Sequence, residues 1–282
     1  MQRYDLRPVE TDSRALAECA ALLGAVLSPS LDQRYLNWLY AENPSGTAVG
    51  FNAFYNGALA AHYATIPLSA RLNGRVEKGL LSLNTATHPD HQGKGLFPAI
   101  AGKTYERAAQ LGFGFVIGVA NARSTRGFTE KLGFQLVAPL DVDVGAGGAE
   151  AGAEDAARSY APVWFDAAIA WRLRRPGARY FAGPRHASGC DVFATVTKLG
   201  ILARLDRVPA ASAAGLPRAP AWNPLRMRIG LDRGARRSGF FVPVPDRFKP
   251  SPLNLIFRDL SCGRRALDAD HVRWTLLDFD AY

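Results

Sequence analysis

Apolar positions recur at helical spacing from Phe97 onward. Ile100, Ala101, Thr104, Ala108 and Leu111 share its stripe, while Lys103, Glu106, Arg107 and Gln110 fall largely outside it. The spacing predicts a helix that reaches Leu111, with Pro98 in its first turn and Gly112 at its stop. Residues 113–119 then run apolar without alternation, as a strand buried on both faces does. A shorter helix over about 122–132 ends at Gly133, and residues 80–87 upstream are strand-like. Strand, helix, strand, helix at these lengths imply a parallel pair with a right-handed crossover.

Residues 2–9 form a first candidate strand. Asp12 or Ser13 can cap a helix whose apolar face holds Leu16, Ala20, Leu23 and Leu27. A second helix, about 32–41, carries Tyr35, Trp38 and Leu39 and stops before Asn43-Pro44. Antiparallel strands over 48–55 and 58–66 turn at Asn56-Gly57, a strong hairpin signal. The later chain offers strands near 179–182, 191–196, 201–205, 226–229, 240–244, 253–257 and 274–279, and one helix within 162–173. The expected fold class is α/β (α+β), a mixed central sheet with one parallel strand pair, followed by a β-rich second lobe. Small residues from Gly145 to Ala153 suggest a linker over 145–158, dividing a domain at 1–144 from a lobe at 159–282. Trp171 to Pro176 faintly echoes Trp38 to Pro44, so the second lobe is a candidate duplication of the first.

The chemistry concentrates in His88-Pro89-Asp90-His91-Gln92-Gly93-Lys94-Gly95-Leu96-Phe97. A glycine turn between a strand and a helix N-terminus brings unpaired N–H groups and a favourable dipole to an anion. Lys94 adds positive charge, so a phosphate or pyrophosphate is the natural guest. The stretch Gln92–Phe97 resembles the Q/R-x-x-G-x-G/A signature of the GNAT superfamily, the acyl-CoA-dependent N-acyltransferases. Asn121, Ser124 and Glu130-Lys131-Leu132-Gly133-Phe134 resemble that superfamily's second helix. The resemblance covers about residues 1–142, and Phe97 departs from it where Gly or Ala is usual.

The resemblance implies acetyl-CoA as cosubstrate; three widely spaced cysteines and five scattered histidines offer no metal spacing, so no metal is expected. The resemblance implies cofactor contacts at Leu83, Thr85, Thr87, Gln92, Gly93, Lys94, Gly95, Leu96, Phe97, Asn121 and Ser124. It places carbonyl polarisation near Leu83, Asn84 and Thr85, and the usual tyrosine proton donor at Thr129, so Asn84, Thr85 and Thr129 are the catalytic candidates. Threonine is a poor acid for that role. His88, His91, Tyr40 and Tyr55 are further candidates, as are Asp278 and Asp280 beside the terminal Tyr282.

Composition adjusts this picture. Residues 1–150 balance 13 basic against 13 acidic side chains, whereas residues 151–282 hold 21 against 12, so the whole +9 lies in the second half. Nineteen of those 21 are arginine, which favours phosphate or carboxylate partners. Cys19, Cys190 and Cys262 are odd in number and widely spaced, which fits a reducing cytoplasm, and no apolar run spans a membrane. The leading expectation is an N-acetyltransferase acting on a small primary amine, such as an amino sugar or nucleotide-linked amino sugar, with anionic character favoured. Two alternatives stand beside it: a nonenzymatic acyl-CoA sensor, and an arginine-rich nucleic-acid binder that no recognisable motif supports.

Overall fold

The computed structural model of the chain describes residues 4–149, 158–195, 201–220, 224–235, 237–245, 247, 249 and 252–279. Two compact units emerge: Met1–Ser69 with Glu77–Leu136 and Ile256–Ala266, and Ala70–Val76 with Val137–Leu255 and Leu267–Tyr282.

The first unit begins with β1 (Asp5–Pro8), α1 (Ser13–Val26) and α2 (Gln33–Tyr40). The Asp12 carboxylate accepts from the N–H groups of Arg14 and Ala15, and that of Asp32 from Tyr35, so each helix starts on an acidic cap. α1 buries Leu16, Cys19, Leu22 and Leu23. Its expected stripe overshoots, because Leu27 follows the last helical residue and is 51% exposed.

Next come β2 (Val49–Tyr55), β3 (Ala58–Leu72), β4 (Arg75–Thr87), α3 (Leu96–Gln110), β5 (Phe115–Ala120), α4 (Ala122–Arg126) and β6 (Gln135–Pro139). Asn56-Gly57 (φ 49° and 82°) turns β2 into β3, as expected. Asn73-Gly74 (φ 48° and 84°) turns β3 into β4 in the same way, a hairpin the sequence reading missed. α3 buries Leu96, Ile100, Ala101, Thr104, Tyr105 and Ala108, but Leu111, its C-cap, is 48% exposed. α4 passes into a π-helical turn, Gly127–Lys131, and stops before Gly133 at φ 66°.

The second unit contains β7 (Asp141–Ala149), β8 (Tyr160–Pro162), α5 (Asp166–Arg172), β9 (Tyr180–His186), β10 (Gly189–Thr195), β11 (Leu202–Val208), β12 (Arg226–Gly230) and β13 (Arg237–Pro243). Its sheet runs β13-β7-β12-β11-β10-β9. Here the structure corrects the expected linker. Residues 145–149 belong to β7 and pair with β13; residues 150–157 lie outside the described residues. A Cβ at Gly145 would collide with the Phe240 carbonyl oxygen and one at Gly239 with that of Ala146. The glycines therefore serve close strand approach, not flexibility. Trp274–Phe279, expected as a strand, is instead a bridge from Trp274 to Leu231 followed by a 3-10 turn, Leu276–Asp278. α5, β9 and β10 repeat the order of α2, β2 and β3, and Trp38 and Trp171 are both buried.

One late strand, β14 (Asn254–Asp259), enters the first sheet between β5 and β6, giving the order β1-β2-β3-β4-β5-β14-β6. The first unit thus draws on residues far beyond 144. Within it, Arg265 donates to Glu77, to Asp259 and to the Gly114 carbonyl.

Candidate functional site

β4 and β5 are parallel, and their paired register runs from Gly79 opposite Phe115 to Ser82 opposite Gly118. A Cβ at Gly118 would come within 2.9 Å of the Ser82 Cβ, so glycine lets the strands meet there. β4 continues past that pair to Thr87 and β5 to Ala120. Two residues beyond Ser82, Asn84 takes φ 45° inside the strand, which breaks the pleat of the Leu83–Thr85 segment. Leu83, Asn84, Thr85 and Thr87 are all partly exposed.

The chain then forms a tied turn. The His88 N–H donates to the Ala60 carbonyl at 2.9 Å, and the His88 ring accepts from the Asp90 N–H at 3.3 Å. The Gln92 carboxamide donates to the Thr87 carbonyl at 3.3 Å, and the Lys94 ammonium to the Asp90 carbonyl at 2.8 Å. Gly93 and Gly95 sit at φ 74° and 73°, and a Cβ added at either meets no heavy atom within 4 Å. Gly95 is the N-cap of α3 and provides no side-chain cap. The first-turn N–H groups of a fifteen-residue helix therefore open onto uncrowded space, which fits an anionic guest. Leu96 and Phe97 offer only their backbone, because Leu96 is buried and the Phe97 ring packs edge-on to Phe128 (5.1 Å) and Tyr63 (5.8 Å). That packing explains a large side chain where Gly or Ala was expected.

Residues 11–137 match the acetyltransferase (GNAT) domain family. Residues 11–137 are a GNAT acetyltransferase domain. Solved structures agree on the fold across nearly the whole chain. A GCN5-related N-acetyltransferase from Kribbella flavida is 14% identical with a TM-score of 0.60, over 91% of this chain and 72% of that one. One from Anabaena variabilis is 13% identical at 0.59 (92% and 73%). A probable N-acyltransferase from Enterococcus faecalis is 9% identical at 0.59, with the same coverage. No curated protein matches the sequence.

Within the GNAT domain, the other expected site residues have local partners. Asn121 and Ser124 form a reciprocal capping box at the start of α4: the Asn121 carboxamide oxygen accepts from the Arg123 and Ser124 N–H groups, and the Ser124 hydroxyl from the Asn121 N–H. The Thr129 hydroxyl donates to the Thr125 carbonyl at 3.0 Å, inside the π turn. Phe128, beside it, is buried against Phe134 at 5.0 Å. His91 accepts from or donates to the Tyr4 hydroxyl at 2.9 Å and packs with the Tyr55 ring.

Two buried polar clusters lie against β4. The Tyr63 hydroxyl is 2.8 Å from both the Ser82 and Tyr105 hydroxyls, and burial pushes its pKa up to about 12. Tyr40, expected near a pocket, is fully buried and bonded at 2.9 Å both to His62 Nε2 and to the Asn84 carboxamide nitrogen. Sequence reasoning missed His62, Asn52, Tyr63 and Ser82, because alternation in a strand marks a face and not a partner. Among the described residues, no three His, Cys, Asp or Glu side chains gather as a metal site needs, and no helix is long and apolar enough to cross a membrane.

In the second unit many arginines are committed internally. Arg204 and Arg207 contact Asp191, Arg273 contacts Asp206, Arg158 contacts Asp232 at 2.7 Å, and Arg172 donates to the carbonyls of Leu277 and Phe279. Buried Asp278 accepts from the Trp164 indole at 2.7 Å, and burial raises its pKa to about 6. Asp280 and Tyr282 lie outside the described residues.

Proposed function

We propose that the GNAT domain binds acetyl-CoA and moves its acetyl group to the primary amine of a small acceptor in a ternary complex. The observation that carries this reading is one continuous segment in which β4 outruns its pairing with β5, turns left-handed at Asn84, and leads into the uncapped N-terminus of α3. The N–H groups of the turn through Phe97 would hold the pyrophosphate, with Lys94 bracing the turn through the Asp90 carbonyl. When bound, the cosubstrate supplies an activated thioester carbonyl. N–H groups of the Leu83–Thr85 segment would polarise it, as preorganised donors aimed at developing charge do. The amine nitrogen bonds to the carbonyl carbon, the carbon–sulfur bond breaks, one proton leaves the nitrogen and one reaches the thiolate. Amines near pKa 10.4 arrive protonated, so the acceptor must first lose a proton to solvent or a base.

Among amino sugars, an anionic one such as a nucleotide-linked amino sugar fits the arginine surplus of the second half best. The direct test measures CoA thiol release from acetyl-CoA across amine classes. Turnover with anionic amino sugars above neutral amines supports the reading. The engaged Thr129 hydroxyl favours one second reading, a nonenzymatic acyl-CoA sensor. Tight CoA binding with no thiol release from any amine would favour it.

A further inference from the structure

Four non-glycine residues among those described have positive φ: Asn56, Asn73, Asn84 and Arg264. Asn56 and Asn73 each precede a glycine in a two-residue hairpin turn, where the turn itself demands the conformation. Arg264 lies between the end of β14 and residue 269, outside any strand. Asn84 alone lies inside a strand, with no turn to impose its geometry. Asparagine tolerates this backbone better than most residues, but it does not by itself choose it over the extended form.

A buried chain of hydrogen bonds reaches Asn84 from across the domain. Asn84 Nδ2 donates to the Tyr40 oxygen at 2.9 Å. The Tyr40 hydroxyl lies 2.9 Å from His62 Nε2, and His62 Nδ1 lies 2.7 Å from Asn52 Oδ1. Asn52 Nδ2 faces the Cys19 sulfur at 3.8 Å. Cys19, Tyr40 and His62 are wholly buried and Asn52 is 4% exposed. Burial keeps the imidazole neutral, with its pKa lowered to about 3, so it has one donor and one acceptor. Facing the Asn52 oxygen, Nδ1 carries the proton. Nε2 is then bare and accepts the Tyr40 proton, which leaves the Tyr40 oxygen to accept from Asn84. The links from His62 to Asn84 then run in one direction, and the far side of the imidazole is held in β2 and α1 by Asn52 and by the Cys19 sulfur, 3.6 Å from Nδ1.

We propose that Tyr40 is a positioning residue for acyl transfer: held by His62 and Asn52, it tethers the Asn84 carboxamide, keeps residue 84 left-handed, and so aims the β4 backbone where the β4–β5 pairing ends. The proposal rests on the acyltransferase reading above. Tyr40 is buried and touches no substrate; it acts through Asn84.

The test uses the full chain. A crystal structure of Tyr40→Phe shows residue 84 leaving the left-handed region, and infrared spectra of bound acetyl-CoA labelled at the thioester carbonyl show its stretch moving back toward the free value. kcat falls about tenfold, the worth of one hydrogen bond, while the KM for acetyl-CoA stays nearly constant. Asn84→Gly adopts left-handed φ without a tether. Whatever rate that variant has, adding Tyr40→Phe to it changes kcat by less than about twofold, because the two sites are coupled. An equal loss in both backgrounds, or residue 84 unmoved in Tyr40→Phe, overturns the proposal. If Tyr40→Phe does not fold, Asn84→Ala cuts the same tether from the exposed end, and an unshifted carbonyl stretch there overturns it equally. A wild-type protein that binds no acetyl-CoA would overturn the acyltransferase reading instead, while the backbone at residue 84 still reports on the tether.

Discussion

Gly95 and Gly112 stand at opposite ends of α3, both left-handed, at φ 73° and 82°. A Cβ built at either meets no heavy atom within 4 Å. Changing either to alanine therefore imposes nearly the same penalty on the protein alone, backbone strain of about 1–2 kcal/mol. In a chain of this length that lowers Tm by a few degrees, at roughly 2–4 °C per kcal/mol. The two changes differ only in what the new methyl group meets when ligand is present. At Gly95 it intrudes on the turn whose N–H groups would hold the CoA pyrophosphate. At Gly112 it sits at the helix end where carbonyls, not N–H groups, are exposed.

Each hydrogen bond to a charged oxygen is worth about 1.5–3 kcal/mol, so losing one raises the CoA dissociation constant roughly 10- to 100-fold. Titration calorimetry with CoA, run beside thermal melts of both variants, separates strain from binding. Both variants should lose similar Tm, and only Gly95→Ala should lose affinity. Unchanged affinity in Gly95→Ala, or an equal loss in Gly112→Ala, refutes the assignment of the turn to the cofactor.

Thr129→Ala should slow turnover by less than tenfold, under about 1.4 kcal/mol of barrier, because its hydroxyl is already given to the Thr125 carbonyl; a thousandfold loss in steady-state assays with CoA binding intact would show it to be the proton donor. Burial lowers the His62 pKa from 6.5 to about 3. Its contribution to stability is therefore complete above pH 6.5 and declines as pH falls toward 3, as the unfolded chain takes up a proton the folded one refuses; denaturant melts of His62→Gln should lose that slope. Asp278 has the opposite sign, since its pKa is raised from 3.8 to about 6: its contribution is complete below 3.8 and lost as pH rises through 6, and Asp278→Asn should remove that dependence. The KM of an anionic acceptor should rise with salt more steeply than that of acetyl-CoA, given a Debye length near 10 Å at 0.1 M, and salt-independent kinetics would sever the link between arginines and acceptor.

What was legible in the sequence was local. The turn from His88 to Phe97 draws its donors from one unbroken backbone segment, so residue order alone displays it. Asn56-Gly57 announced its hairpin because apolar runs flank it, whereas Asn73-Gly74 sits among Arg71, Arg75, Glu77 and Lys78, and its equivalent turn was overlooked. The strand character of residues 253–257 was readable, but not that β14 enters between β5 and β6, since periodicity carries no information about neighbours more than a hundred residues away. The tether on Asn84 is the extreme case. Its members come from α1, α2, β2, β3 and β4, one side chain each, and no spacing along the chain relates them.

The arginine surplus shows the same limit from the other side. A net count registers charge but not partners, so an arginine on a ligand-binding surface and one in an interior ion pair are counted alike. Arg204, Arg207 and Arg273 lie against Asp191 and Asp206 within the second unit, and Arg265, counted with the second half, serves Glu77 and Asp259 in the first. These contacts remove their arginines from the pool that can meet an acceptor, although the net count of +9 does not register it. Under the proposed reading, arginines that meet an anionic acceptor come from the exposed remainder, which includes Arg179, Arg185 and Arg218. Charge reversal there should change acceptor KM with the melting temperature held, whereas reversal at Arg204 or Arg207 strands a buried aspartate and should lower stability first.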